Sequence, residues 1–334
     1  VRTEPANPVL AEVIRSGARE SVHRGAIEVL DASGVPELSA GGTRAPVFPR
    51  SANKPMQAAA MLACGLGLGG RLLALAAASH SGEDFHLAGV REILAGAGLT
   101  EADLRCPPDL PLDEGARAAL LRAGGGPEPI RMNCSGKHAA MLATCVAAGW
   151  PADGYRDPAH PLQARIRREI EELAGEPVAA AGTDGCGAPL LAISVSGLAW
   201  AFRALVLSPP GSPRRRVADA MRAHPAWASG TARPEAALMA AVPGLLLKSG
   251  AEGVCAFALP DGRAGAVKID DGAPRAVQPL MAAVLRDMVV RAPGGRAGAD
   301  LAALDRLATV PVTGGGEPVG QIRAVRLGWP AARS

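Results

Sequence analysis

Apolar and polar residues alternate near both ends of this chain, whereas its middle carries long runs of helix-forming residues. Segments 9–14 and 21–30 are rich in β-branched residues and alternate in character, so both read as strands, with Asp31-Ala32-Ser33-Gly34 as a turn. Helices are predicted over 51–66, 83–95, 116–123, 137–148, 161–173 and 189–206, with caps or breakers at their ends. Strands return at 245–248, 254–259 and 264–269, followed by a helix over 277–290 and a last strand over 319–327. The order of strands, helices and strands predicts an α/β (α+β) chain. Its antiparallel sheet is drawn from both chain ends, and a helical lobe is inserted between them. One domain over 1–334 results, with a sheet lobe near 1–50 and 244–334 and a helical lobe near 51–243. A cleft between lobes is a common place for an active site.

Composition narrows the class. At 334 residues, 48% hydrophobic and 20% charged, the chain is globular and long enough for a sizeable core. Aromatics are only 3%, so Leu, Ala, Val and Met must fill that core. The net charge of +3 and the scattered basic residues offer no stripe for nucleic acid. Arginines 214–216, after Pro209, Pro210 and Pro213, read as a solvated surface loop. No apolar run is long enough to span a bilayer, and the first eight residues lack the apolar segment of a secretory signal. Six cysteines in so long a chain are not a disulfide framework. A reducing, cytoplasmic setting is expected, where neighbouring cysteines suggest metal or catalysis.

Three elements carry candidate chemistry. In Arg50-Ser51-Ala52-Asn53-Lys54-Pro55, a helix starting near Ser51 would place Ser51 and Lys54 one turn apart on one face. A neutral lysine there could take the serine proton. Ser-x-x-Lys alone is weak, since an N-cap serine beside a solvated lysine looks the same. A second serine element, Ser79-His80-Ser81-Gly82, follows a helical run, and Lys248-Ser249-Gly250 follows a strand-like one. In this order the three elements form the signature of serine β-lactamases and penicillin-binding proteins.

The cysteines add a further constellation. Asn133-Cys134-Ser135-Gly136-Lys137-His138 and Asp184-Gly185-Cys186-Gly187 place two thiols in polar, glycine-containing segments near helix starts, where thiolates could bind zinc. Lys137 could join them only as the neutral amine. Cys64 and Cys145, on helical faces, read as core residues. Among the histidines, His80 and His138 sit inside motifs, whereas His23, His86, His160 and His224 read as structural.

Across nearly its whole length the chain resembles the asparaginase II family, the rhizobial-type L-asparaginases. The motifs above carry the resemblance, together with Glu20-Ser-Val-His-Arg-Gly25, His160-Pro-Leu-Gln163, Lys248-Ser-Gly-Ala-Glu-Gly253 and Lys268-Ile-Asp-Asp-Gly272. It implies a β-lactamase-like fold, a homodimer, and hydrolysis of L-asparagine to aspartate and ammonia. It further implies catalytic pairs on Ser51 with Lys54 and on Ser79 with Lys248, and zinc on Cys134, Lys137 and Cys186. Arg50, His80, Ser135, His138 and Asp184 would surround the substrate. Ser81 rivals Ser79 and Lys268 rivals Lys248 in the second pair; the motif order favours Ser79, and the strand context favours Lys248. Two other readings remain open at this point. One is a peptidase, esterase or β-lactamase on the same fold. The other is a non-catalytic zinc or redox sensor built on Cys134 and Cys186.

Overall fold

The structure is a computed structural model that describes residues 6–291 and 298–328, so part of the N-terminal segment considered above lies outside the described residues. The chain divides into two compact units. The first comprises Val1–Ala52, Ile193–Arg203 and Ala237–Ser334; the second comprises Asn53–Ala192 and Ala204–Ala236. Residues 193–203, which the sequence places in the helical lobe, cluster with the sheet.

The first unit is built on an antiparallel sheet. Its strands run Thr309–Gly314, Glu317–Ala324, Val9–Arg15, Ala18–Leu30, Ala264–Ile269, Val254–Ala258 and Leu246–Gly250, and Pro36–Ala40 also pairs with Ala18–Leu30. Both chain ends therefore supply neighbouring strands, as the alternation predicts. The long strand Ala18–Leu30 serves three partners, Pro36–Ala40 among them. Its first half pairs with Val9–Arg15, and its second half pairs with Ala264–Ile269, with Ile27 opposite Val267. Helix Val277–Arg291 covers the sheet with Leu280, Met281, Val284, Leu285 and Met288, which are buried with Ile27, Val29, Phe257 and Val267. Aliphatic side chains and methionines dominate this core, as the low aromatic content requires.

The second unit is largely helical. Lys54–Ala63 packs on Pro161–Ala174 and Pro213–Ala223, and Asp84–Gly96 packs on Ser135–Ala148. Local chemistry sets their ends. Pro161 opens its helix at a position where a missing N–H costs nothing, with His160 accepting from Leu162 N. Gly149 and Gly175 end two helices in the left-handed conformation.

Several elements differ from expectation. The predicted helix 189–206 is a strand, Pro189–Ser194, followed by a helix, Val195–Leu207. All six strand residues are buried, and a short apolar run buried on every side lacks the period that separates strand from helix. Ser194 Oγ accepts from Gly197 N at 2.8 Å and starts the helix there. Arginines 214–216 lie on helix Pro213–Ala223, not in a loop. Ser212 caps that helix, Arg214 pairs with Glu169 and Glu172, and Arg215 pairs with Asp219. Cys64 lies just beyond its helix and is half-buried, whereas Cys145 is fully buried. Among the described residues, no helix is long and apolar enough to cross a membrane.

Candidate functional site

In the first unit, Arg50 and Ser51 belong to a 3-10 turn, Arg50–Asn53, and the α-helix begins only at Lys54. The sequence expected an α-helix from Ser51. Arg50 adopts φ 51, a left-handed conformation that is strained for a side chain of this kind. Glu252 does the same at φ 62, and its carboxylate lies 3.9 Å from the Arg50 guanidinium. The intervening close approach explains Gly250. A Cβ there would collide with the Pro49 carbonyl oxygen and lie 3.1 Å from Ala52 N. The Lys248-Ser249-Gly250 strand therefore runs against the segment that carries Ser51.

The same unit distinguishes the two rival lysines. Lys268 Nζ donates to the carbonyl oxygens of Glu252 at 2.6 Å and Ile269 at 2.5 Å, so its amine holds the loop after the strand. Lys248 is 2% exposed on the edge strand, donating to Ser249 O at 2.7 Å.

The second unit gathers most of the other candidates. Lys54 is 1% exposed, and its Nζ donates to Ala78 O at 2.5 Å, Ser79 Oγ at 3.0 Å and Cys134 Sγ at 3.1 Å. These contacts use all three ammonium hydrogens. Ser81 Oγ is instead committed to Glu83 Oε2 at 2.5 Å, so only one of the two serines meets the lysine. Gly136 makes the approach possible. A Cβ on it would lie 2.6 Å from Leu75 O, so glycine lets the start of helix Ser135–Ala148 come close to helix Gly70–Ala76. His80 N then bonds Asn133 O at 3.0 Å, tying the Ser79 loop to the Cys134 loop.

Around the sulfurs, Lys137 Nζ lies 3.0 Å from Cys186 Sγ, and Cys186 Sγ lies 3.5 Å from Asp184 Oδ2. The hydrogen bond from Cys186, reinforced by the charges of Lys54 and Lys137, holds the Cys134 thiol well below its usual range despite burial. Cys186 is pushed up by that same bond and by burial. Of the two thiols, Cys134 is the one favoured to ionise. Burial opposes the Lys137 ammonium, but the charges of Cys186, Cys134 and Asp184 outweigh it and raise its pKa.

The motif histidines line the same region. His80 Nε2 donates to Ser135 Oγ at 2.8 Å, because the serine spends its own hydrogen on Ile130 O at 2.7 Å. Burial, with the charges of His86 and Lys54, lowers the His80 pKa far below normal and keeps the ring neutral. Burial likewise lowers His138 to about 4. His138 Nδ1 lies 2.7 Å from the hydroxyl of Tyr155. Tyr155, the only tyrosine in the chain, lies outside every sequence motif. Its carbonyl accepts from Gln163 at 2.7 Å, which accounts for the glutamine of the His160-Pro-Leu-Gln163 motif. A lone tyrosine in a chain poor in aromatics was the available signal.

Two sulfurs and an amine in mutual reach, buried and beside a carboxylate, fit the nitrogen and sulfur preference of zinc. His138 lies beside the Cys186 sulfur, which opposes the lowering of its pKa. Among the described residues no three His, Cys, Asp or Glu side chains form a metal cluster, so the set depends on Lys137.

The family described as L-asparaginase II matches residues 11–324. The chain belongs to this L-asparaginase II family. No curated protein sequence matches it significantly. Similar solved structures include Mglu in its native form, at 16% identity and TM-score 0.40, with 74% of this asparaginase II chain and 56% of that chain covered. The chain thus spans a little over half the length of that protein. The L-glutamate-binding form of Mglu gives 16%, 0.41, 75% and 55%. EstCE1, a hydrolase with promiscuous acyltransferase activity, gives 14% identity, TM-score 0.34, and coverage of 78% and 87%.

Proposed function

We propose that this protein hydrolyses the side-chain amide of L-asparagine to L-aspartate and ammonia through a serine ester. Family membership supports the reaction. The hydrogen bond between buried Lys54 and Ser79 carries the reading of how it proceeds. A lysine acts as a base only as its neutral amine, which has two hydrogens to donate and one lone pair to accept with. Deprotonated Lys54 can keep Ala78 O and one other partner while it accepts a hydroxyl proton.

In this reading Lys54 accepts the proton of Ser51, whose Oγ bonds to the carboxamide carbon. The tetrahedral adduct then collapses, its C–N bond breaks, and the nitrogen leaves as ammonia. Ser79 passes the proton from Lys54 to that nitrogen, and Lys248 is the second lysine that this reading assigns to the relay. Water gives one proton to Lys54 and attacks the ester carbon, the bond to Ser51 Oγ breaks, and Lys54 passes that proton to the departing Ser51 oxygen. Arg50, His80, Ser135, His138 and Asp184 contribute to substrate recognition. Neutral His80 is suited to hydrogen bonding and not to ion pairing.

Cys134, Lys137 and Cys186 would hold zinc, with Lys137 giving up its proton. A bound zinc would supply an electrophilic anchor for the α-amino or α-carboxylate end of the substrate. A homodimer is part of the same proposal. The deciding experiment is ammonia release from asparagine and glutamine by purified protein, with metal content and solution mass measured alongside. Turnover of asparagine supports the reading. Turnover of an ester or a β-lactam without ammonia release from asparagine replaces it with another serine hydrolase.

A further inference from the structure

A cavity of about 460 Å³ in the second unit is lined by Arg105, Tyr155, Arg156, Asp157, Thr183 and Gly187 among others. Its size suits a small ligand. Arg105 and Asp157 are exposed and Arg156 is half-buried, and these charges do not pair with one another. The charge of Arg156 is felt by Cys106 and Tyr155, and among the described residues no carboxylate pairs with its guanidinium. Its place is set by contact with the backbone, since a Cβ on Gly187 would meet the Arg156 guanidinium. Arg105 gives one N–H to Ala102 O at 2.7 Å and keeps the rest of its fork. One oxygen of Asp157 accepts from Ala159 N at 2.8 Å, and neither arginine pairs with that carboxylate.

We infer that this cavity binds a free acidic α-amino acid, such as L-aspartate, in addition to the substrate of the proposed reaction. Two guanidinium groups and one carboxylate give the lining a net charge of +1, which complements a ligand with two carboxylates and one ammonium. Guanidinium forks are suited to bidentate carboxylate contacts, and Asp157 can receive the ammonium. Thr183, also in the lining, carries a neutral hydroxyl.

The site is separate from Lys54 and Ser79 but touches their surroundings. Tyr155 contributes to the cavity while its hydroxyl meets His138, and Thr183 and Gly187 flank the Asp184-Gly185-Cys186 segment. Occupancy would therefore stiffen the loop that carries Cys186. The assignment of an amino-acid site stands on the cavity alone. Only the identification of its ligand as the reaction product rests on the proposed hydrolysis.

Calorimetric titration of the full chain with L-aspartate, succinate and L-asparagine tests the inference. L-Aspartate should bind the wild type at a class of sites that Arg156→Gln weakens by about tenfold or more. Arg156→Lys should fall between the two, because it keeps the charge and loses the fork. Asp157→Asn should remove the preference for aspartate over succinate. The KM for asparagine should be unchanged in Arg156→Gln. Identical aspartate isotherms for wild type and Arg156→Gln overturn the inference, as does absence of aspartate binding to the wild type. A parallel loss of asparagine KM also overturns it, by making the cavity part of the hydrolytic site. Failure of ammonia release with aspartate binding intact would instead remove the proposed reaction and leave the cavity assignment standing.

Discussion

Lys54 Nζ lies 3.0 Å from Ser79 Oγ, although 24 intervening residues separate the two in the chain. One residue opens the first helix of its unit, and the other lies in the loop after the next helix. Lys54 also touches Cys134, so a single buried amine links the serine chemistry to the cysteine cluster. Sequence spacing pairs Lys54 with Ser51; the fold adds Ser79 as a direct partner. The proposed proton relay draws on this contact and on the sequence spacing of Ser51 and Lys54.

Ser79 and Ser81 should behave differently. Ser79→Ala removes the hydroxyl that meets Lys54, and kcat for ammonia release should fall by about 100-fold or more. Ser81→Ala removes a bond to Glu83 and should mainly cost stability, about 1–2 kcal/mol, with kcat close to wild type. Ammonia assays and thermal melts on both variants check this. A reversed pattern would place Ser81 in the relay.

Ser51→Ala should fold normally and lose ammonia release by at least about 1,000-fold, because it removes the atom that forms the ester. Mass spectrometry of quenched wild-type enzyme should find the aspartyl adduct on the peptide containing Ser51. An adduct on the Ser79 peptide would exchange the roles of the two serines.

If the proposed zinc site is real, metal content should fall in Cys186→Ala and stay unchanged in Cys145→Ala, since Cys145 is buried about two turns further along the helix that carries Lys137. If the metal anchors the non-reacting end of the substrate, its loss should raise KM with kcat largely kept. Metal analysis and steady-state kinetics on the two variants read this out. Loss of kcat at constant KM would mean that the metal acts on the nucleophile or on water.

Stability should decline in two stages as pH falls. Burial lowers the pKa of His80 and of His86, so below about 6.5 the unfolded chain binds protons that the folded one refuses. Their stabilisation is therefore present above that pH and is lost on acidification. Glu83 contributes lower down. Burial opposes its carboxylate, but hydrogen bonds from Ser81 and Thr231 outweigh that and depress its pKa. Its share is present above about 4.3 and is lost as pH falls through the folded-state value. Melting temperature measured from pH 7 to 4 should fall throughout, and Glu83→Gln should flatten the lower part. A melting temperature that rises between pH 7 and 5.5 would contradict the histidine assignment.

The strands at both chain ends and most of the helices were legible because their periods are local: alternation over 9–14 and caps around 161–173 need no distant partner. Motif order was equally legible, since Ser51, Lys54, Cys134, Lys137, Cys186 and Lys248 are recognised by near neighbours. The strand Pro189–Ser194 was not, because burial of every residue erases the two-residue period. Nor could spacing reveal that Lys54 meets Ser79 and Cys134, that Lys268 is spent on two carbonyls, or that Tyr155 holds His138. The contacts of Lys54 and Tyr155 join residues distant in the chain, and Gly136 lets the start of its helix come close to Leu75. The sequence alone determined which chemical groups are present and which local elements carry them. Only tertiary packing decided which groups meet, because side-chain proximity and the charge each group carries depend on burial and on neighbours brought in from elsewhere in the chain.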